Sequence, residues 1–343
     1  MNSIILSAKK SFLAMKNPYD SVERVFPMAI DELTAHKEVF YTGVKNVPQI
    51  PASLLKKLKQ NGQYVVHTLD KAAIGGRAVD MQRVNPISGR PMTGSSSGTA
   101  INVLLGINDL GIGTDGGGSV LAPAMALNLF GFISPLIAPE HTKQFHSVST
   151  DNVSFTPSIG YMTRTFSDMQ RVLKVTFKFS SETSFHKKVA LVSPTSEKVQ
   201  DVVNSKQTVS VEVASPDRFG SREPLIRFLK DTLPQYDFLL SEEGPVDFNG
   251  LGDSVLGHMG ERTQMDQKQS GKGLIRVANM AGATALSVPK KDFASAYVLI
   301  CESKLEKIQT MLQFAENLAE PQDELLKRYF MNTNNYFADG FEY

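Results

Sequence analysis

The sequence predicts an α/β protein, and three observations predict it. Short apolar strand-like runs alternate with amphipathic helix-like stretches along the chain. Helix-start chemistry recurs between them, and two glycine- and serine-rich loops each lead into an apolar, helix-compatible stretch. In chain order, Leu54 to Gln60 reads as a helix, Gly62 as a turn, and Gln63 to His67 as a strand. Val189 to Val192 is a short strand, and Ser193 with Pro194 forms an N-cap and first-turn pair opening a helix toward Val203. Val209, Val211 and Val213 alternate with Ser210 and Glu212, the pattern of a half-buried strand. Pro224 to Thr232 follows as a helix and Tyr236 to Leu240 as a strand. Tyr297 to Cys301 is a last strand; Ser303 and Glu306 make a capping box before a helix carrying Leu305, Ile308, Leu312 and Ala315 on one face. With no repeat, low-complexity tract or linker in evidence, one domain over residues 1–343 is expected.

Composition narrows the function. Lysine plus arginine (36) nearly cancels aspartate plus glutamate (35), and no basic run exceeds two residues, so nucleic acid is not an expected partner. The single cysteine, Cys301, excludes an internal disulfide framework and a thiolate zinc cluster; no metal or cofactor is expected. Residues 1–16 lack the pattern of a signal peptide, and no stretch approaches the roughly 18 apolar residues of a membrane span. A soluble, cytoplasmic protein without membrane contact is the expectation.

The segment GTDGGGSVLAP, from Gly113 to Pro123, carries the first chemical signal. Glycines 113, 116, 117 and 118 strip the approach to Ser119 of Cβ atoms, so backbone N–H groups can converge on one point, as an oxyanion hole requires. Val120 to Leu129 is apolar and tolerates Pro123 in a first turn, which puts Ser119 at a helix N-terminus, where partial positive charge favours an anion. No Gly-Lys-Ser/Thr follows, so this is not a P-loop. A second loop, TGSSSGT from Thr93 to Thr99, lies upstream, with Ser95 24 residues before Ser119.

Both loops and their spacing resemble the core of the amidase signature family. So do FTPSIGYMTRTFSDM, YDFLLSEEGP and ANMAGATALSVP, and together these segments cover roughly residues 10 to 320. The resemblance implies a single large mixed β-sheet covered on both faces by helices, here shortened at its N-terminal side. It also implies a Ser, cis-Ser, Lys triad that cleaves a carboxylic amide through an acyl-enzyme. Ser119 matches the nucleophile, and Ser95, held by a cis peptide after Gly94, matches the proton bridge. Gly116, Gly117 and Gly118 supply the oxyanion hole, with Ser96 and Asp115 as supporting residues. For the lysine, AMKNPYDSV resembles the family's Val-Lys-Asp-Asn segment and places the base at Lys16, 79 residues before Ser95; Lys71 in HTLDKAAIGG is the alternative. Whichever lysine serves must be buried and held by hydroxyls rather than carboxylates, because only a neutral amine takes a proton. No histidine is required, and His36, His67, His141, His146, His186 and His258 lie in none of the matched catalytic segments.

The sequence departs from the family at several places. Leu121 replaces an arginine that pairs with the aspartate of the glycine loop, so Asp115 must find another cation or backbone donors. Asn128, Ile133, Tyr161 and Thr284 replace a glycine, a lysine and two prolines. Substrate contacts are expected from Leu136 to Ser154 and Glu242 to Ser270, the second polar enough for a binding loop. The expected partner is a small-molecule or peptide amide, and the resemblance leaves a homodimer open. Two alternatives stand beside the amidase: a glutaminase subunit of an amidotransferase, disfavoured by the lack of a carboxylate between Ser270 and Asn279, and an inactive amidase-like binding protein.

Overall fold

The computed structural model describes residues 3–35, 39–180, 188–206 and 208–337. Among them, 11 strands form one mixed sheet. They are β1 (Val22–Val25), β2 (Phe40–Lys45), β3 (Tyr64–Asp70), β4 (Leu110–Asp115), β5 (Phe130–Ser134), β6 (Ser158–Thr163), β7 (Lys188–Val192), β8 (Val209–Val213), β9 (Phe238–Glu243), β10 (Ala283–Pro289) and β11 (Ala296–Glu302). Their order across the sheet is β1-β3-β2-β4-β6-β5-β10-β11-β9-β7-β8. β3, β2 and β4 are parallel neighbours, as are β9, β7 and β8; the strands between β4 and β9 pair antiparallel.

Most strands are apolar on both faces, and their alternation divides two cores. Val189 and Leu191 lie in one apolar cluster, while Ala190 and Val192 lie in the other. Leu286 and Val288 oppose Ala285 in the same way, and Leu299 opposes Val298 and Ile300. Because side chains along a strand point to opposite faces, each run feeds both layers, which is why these strands read as continuous apolar stretches. Helices cover both layers. Leu13 of α1 (Ser3–Lys16), Ile101 of α3 (Ser97–Leu104), Met125 of α4 (Leu121–Ala126) and Leu229 of α7 (Arg222–Thr232) belong to one cluster. Leu58 of α2 (Ala52–Gly62), Leu173 of α5 (Phe166–Thr176), Val199 of α6 (Glu197–Ser205) and Phe314 of α9 (Leu305–Leu318) belong to the other. Between α7 and α9 lies the polar α8 (Glu261–Lys268). No described helix is long and apolar enough to cross a membrane.

Local chemistry shifts several expected boundaries. α6 begins at Glu197, three residues after Pro194, with Ser196 in the N-cap position. The helix α9 starts after Lys304, and Ser303 instead donates its hydroxyl to the Gly282 carbonyl at 2.9 Å, so the expected capping box does not form. α4 ends at Ala126 rather than Leu129: Asn128 has φ 50, and its side-chain amide joins Lys290 and Ala294. Tyr161 and Thr284 are absorbed into the core, each with a hydroxyl partner, Thr176 at 3.0 Å and Ser134 at 2.8 Å.

Candidate active site

The site forms where parallel strands β2 and β4 end side by side, the carboxyl edge at which open α/β sheets bind ligands. β2 ends on Lys45 and β4 on Thr114 and Asp115. Val44 faces the α2 side of the sheet, so the next side chain, Lys45, faces the α3 side. There Lys45 Nζ donates to Ser95 Oγ at 2.7 Å and to Thr114 Oγ1 at 2.9 Å. The residue is 4% exposed, and burial lowers its pKa from the ordinary lysine value to about 7, against the opposing pull of the Asp115 carboxylate. An amine so placed is available as a neutral base near neutral pH.

This corrects the lysine assignment. Lys16 ends α1 with its amine in an exposed hydrogen bond to the Tyr336 carbonyl, and Lys71 pairs with Asp20 at the surface. Neither meets the requirement of burial on hydroxyls, which Lys45 does. The sequence held the signal in GVKNV, residues 43–47, where Val44-Lys45-Asn46 resembles the family's lysine segment more closely than AMKNPYD does. α2, the helix expected directly after that segment, begins seven residues beyond Lys45, at Ala52, and the strand β3 follows it from Tyr64.

The two serine loops meet behind the amine. Ser95 and Ser96 are buried, the Ser96 amide donates to the Ser119 carbonyl at 3.3 Å, and Ser96 Oγ donates to the Thr114 carbonyl at 3.4 Å. Gly113 makes this approach feasible, since a Cβ there would lie 2.6 Å from Ser96 Oγ. The Gly94–Ser95 peptide is not cis, contrary to expectation; among the described residues the cis bonds precede Pro194 and Pro245. Gly94 instead turns the chain with φ 73, and its amide donates to the Ala78 carbonyl at 2.8 Å.

Asp115, left without the family arginine, is satisfied by the backbone. Its carboxylate accepts from the amides of Gly118 at 2.7 Å, Val120 at 2.6 Å and Leu121 at 3.3 Å. Burial raises its pKa, while those donors and Lys45 pull it down. Leu121 itself is fully buried in the apolar cluster, a position where a leucine contributes about 2 kcal/mol. The turn that wraps the carboxylate needs Gly118, whose φ of 97 lies in the left-handed region. Since the Gly118 amide is committed to Asp115, it drops out of the expected oxyanion hole. Among the described residues, no hydrogen bond engages the amides of Gly117 and Ser119.

Lys45, Ser95, Thr114, Gly116, Gly117 and Ser119 all line one cavity of about 510 Å³. Both stretches expected to contact substrate border it, through Phe145 and Thr150 on one side and Ser254 and Val255 on the other. Arg77 reaches across to Asp253 at 2.9 Å and ties the second stretch to the rim. Asn279 braces the floor by donating to the carbonyls of Gly116 and Thr156 and accepting from Ser158. No described histidine lines the cavity: His67 is buried on Ser11 and Asn108, with its pKa pushed down to about 4 by burial. His36 and His186 lie outside the described residues. No group of three or more candidate metal ligands occurs among the described residues.

With that geometry in place, the sequence profile described as Amidase matches residues 42–234, more than half of the chain. The chain belongs to the amidase (amidase signature) family. The matched segment begins three residues before Lys45, so Lys16 lies outside it. Amidase 1 of Oryza sativa subsp. japonica is 38% identical over 96 residues, a match that covers 26% of this chain and 20% of that protein. The fold is similar to that of the peptide amidase from Stenotrophomonas maltophilia, at TM-score 0.61 and 14% identity, over 94% of this chain and 96% of that one. It is likewise similar to a glutamyl-tRNA(Gln) amidotransferase subunit from Thermotoga maritima, at TM-score 0.62 and 16% identity, over 92% and 93% of the two chains.

Proposed function

We propose that this amidase-family chain is a serine hydrolase of carboxylic amides, with Ser119 as nucleophile, Ser95 as proton bridge and Lys45 as base. The observation that carries the reading is a buried amine, its pKa lowered to about 7, held on the Ser95 hydroxyl at the wall of the cavity that Ser119 shares. A serine hydroxyl is a weak nucleophile until its proton is taken. Ser119 Oγ attacks the amide carbonyl; its proton passes to Ser95 Oγ as the Ser95 proton passes to neutral Lys45 Nζ. The oxyanion is met by the unengaged amides of Gly117 and Ser119, each such donor contributing roughly 3 kcal/mol in comparable sites. The proton returns through Ser95 to the leaving nitrogen, the C–N bond breaks, and water then attacks the acyl-enzyme by the same relay. Product acid and Ser119 are released.

The test is treatment with a fluorophosphonate probe, with the modified residue mapped by mass spectrometry, beside hydrolysis of an amide panel. Ser119 should carry the label, and Ser119→Ala should lose both labelling and turnover. A label elsewhere, or turnover retained in Ser119→Ala, overturns the proposal; an unreactive Ser119 with no turnover favours an inactive binding protein.

A further inference from the structure

One wall of the cavity holds a guanidinium with more donors than partners. Arg222 opens α7 and is 8% exposed. Its Nη1 donates to Asp151 Oδ1 at 2.7 Å, while its Nε is buried without a hydrogen-bond partner. Its Nη2 stands 4.0 Å from where a Cβ on Gly117 would lie, so the guanidinium faces the glycine turn that leads into Ser119. A second cavity, of about 330 Å³, meets the catalytic one at Thr150, Arg222 and Ser254, which places this side chain in a shared wall.

Among the described residues, the neighbours do not supply the missing acceptors. Arg276, packed behind, is another cation; burial first, and then the charge of Arg222, push its pKa down to about 10. Its own donors are committed to the carbonyls of Gly273, Arg218 and Gly220. Glu243 accepts from the amides of Gly273, Leu274 and Ile275. That leaves Asp151, about a third exposed, as the carboxylate in contact with Arg222.

A guanidinium offers five N–H donors in a planar fork, and it meets a carboxylate through two parallel hydrogen bonds. Nη2, which faces the glycine turn and makes no hydrogen bond among the described residues, is the donor that an anion arriving from the cavity can meet. We infer that the substrate is an amide bearing a second, ionised carboxylate, and that Arg222 holds this group while the amide lies over Ser119. The inference rests on the proposed hydrolysis at Ser119. Because Arg222 faces Gly117, two residues before the nucleophile, the carboxylate belongs a few bonds from the scissile carbonyl, as in the monoamide of a short dicarboxylic acid.

The test pairs succinamate and glutaramate with the neutral butyramide and valeramide. In the parent protein kcat/KM should favour the acids by at least tenfold, and glutaramate should slow fluorophosphonate labelling of Ser119 at a concentration at least tenfold below that of valeramide. Arg222→Gln should bring both ratios to within about threefold of unity, and Arg222→Lys should restore part of the preference. Arg222→Gln combined with Asp151→Asn provides a second variant without an orphaned carboxylate, and it should lose the preference equally. Neutral amides turned over as well as the acids, or a preference untouched by both variants, overturns the inference and leaves the amidase reading standing. An unlabelled Ser119 with no turnover of any amide removes both.

Discussion

Lys45 and Lys272 are sealed from water to nearly the same degree, at 4% and 2% exposure, yet their surroundings give them opposite tasks. Lys272 meets Asp247 in an ion pair at 2.6 Å and donates to the carbonyls of Ala78 and Gly252, so its amine serves as a fixed cross-link. Lys45 meets two hydroxyls and, among the described residues, no carboxylate within hydrogen-bond reach. At Lys45 burial disfavours the ammonium, and hydroxyl partners offset that loss only in part. The partner, more than the depth, decides whether a buried lysine fastens the fold or can exchange a proton.

The comparison breaks most sharply at Lys45. Lys45→Ala should lower kcat about 10³-fold or more, the scale of losing a general base. In the parent protein, kcat/KM should climb about tenfold per pH unit below 7 and level off above it, because the neutral amine is the working form and its folded pKa is about 7. A loss under tenfold, or a flat profile between pH 5.5 and 8, would remove Lys45 from the relay.

Lys272→Met tests the other side. It strands Asp247 in the interior and should lower unfolding stability by about 3 to 5 kcal/mol, read from the urea midpoint, while Ser119 in the protein that remains folded still accepts the fluorophosphonate label. Unchanged stability would show that this pair does not fasten the fold. The smallest effect is expected at Lys16, whose amine sits on the Tyr336 carbonyl in an exposed bond. Lys16→Ala should leave kcat/KM within about twofold; a hundredfold loss would reinstate it and count against Lys45.

What is legible in the sequence follows from locality. The strands and helices are readable because apolar periodicity is written over a few residues at a time, while the expectation that the Ser95 and Ser119 loops share one site comes from the family resemblance that their 24-residue spacing supports. The buried amine beside Ser95 escapes a sequence reading because distance along the chain carries no physical constraint: Lys45 stands beside Thr114 because β2 and β4 pair in parallel, and the Ser95 loop meets it there. The oxyanion hole is overcounted for a related reason. A glycine run advertises free amides, but which of them a neighbouring carboxylate engages depends on how the turn closes. That Asp115 needs a substitute for the arginine replaced by Leu121 is readable, and the backbone provides it. Arg222 escapes a sequence reading because a lone arginine at a helix start has no signature.

The wrapping of one carboxylate by three amides reaches beyond local architecture. Asp115 shapes the turn that presents Ser119, and it is also the opposite charge that steadies the ammonium form of Lys45. In the proposed mechanism, placement of the attacking oxygen and basicity of the proton acceptor therefore share a single origin. A change at this position cannot retune one without disturbing the other.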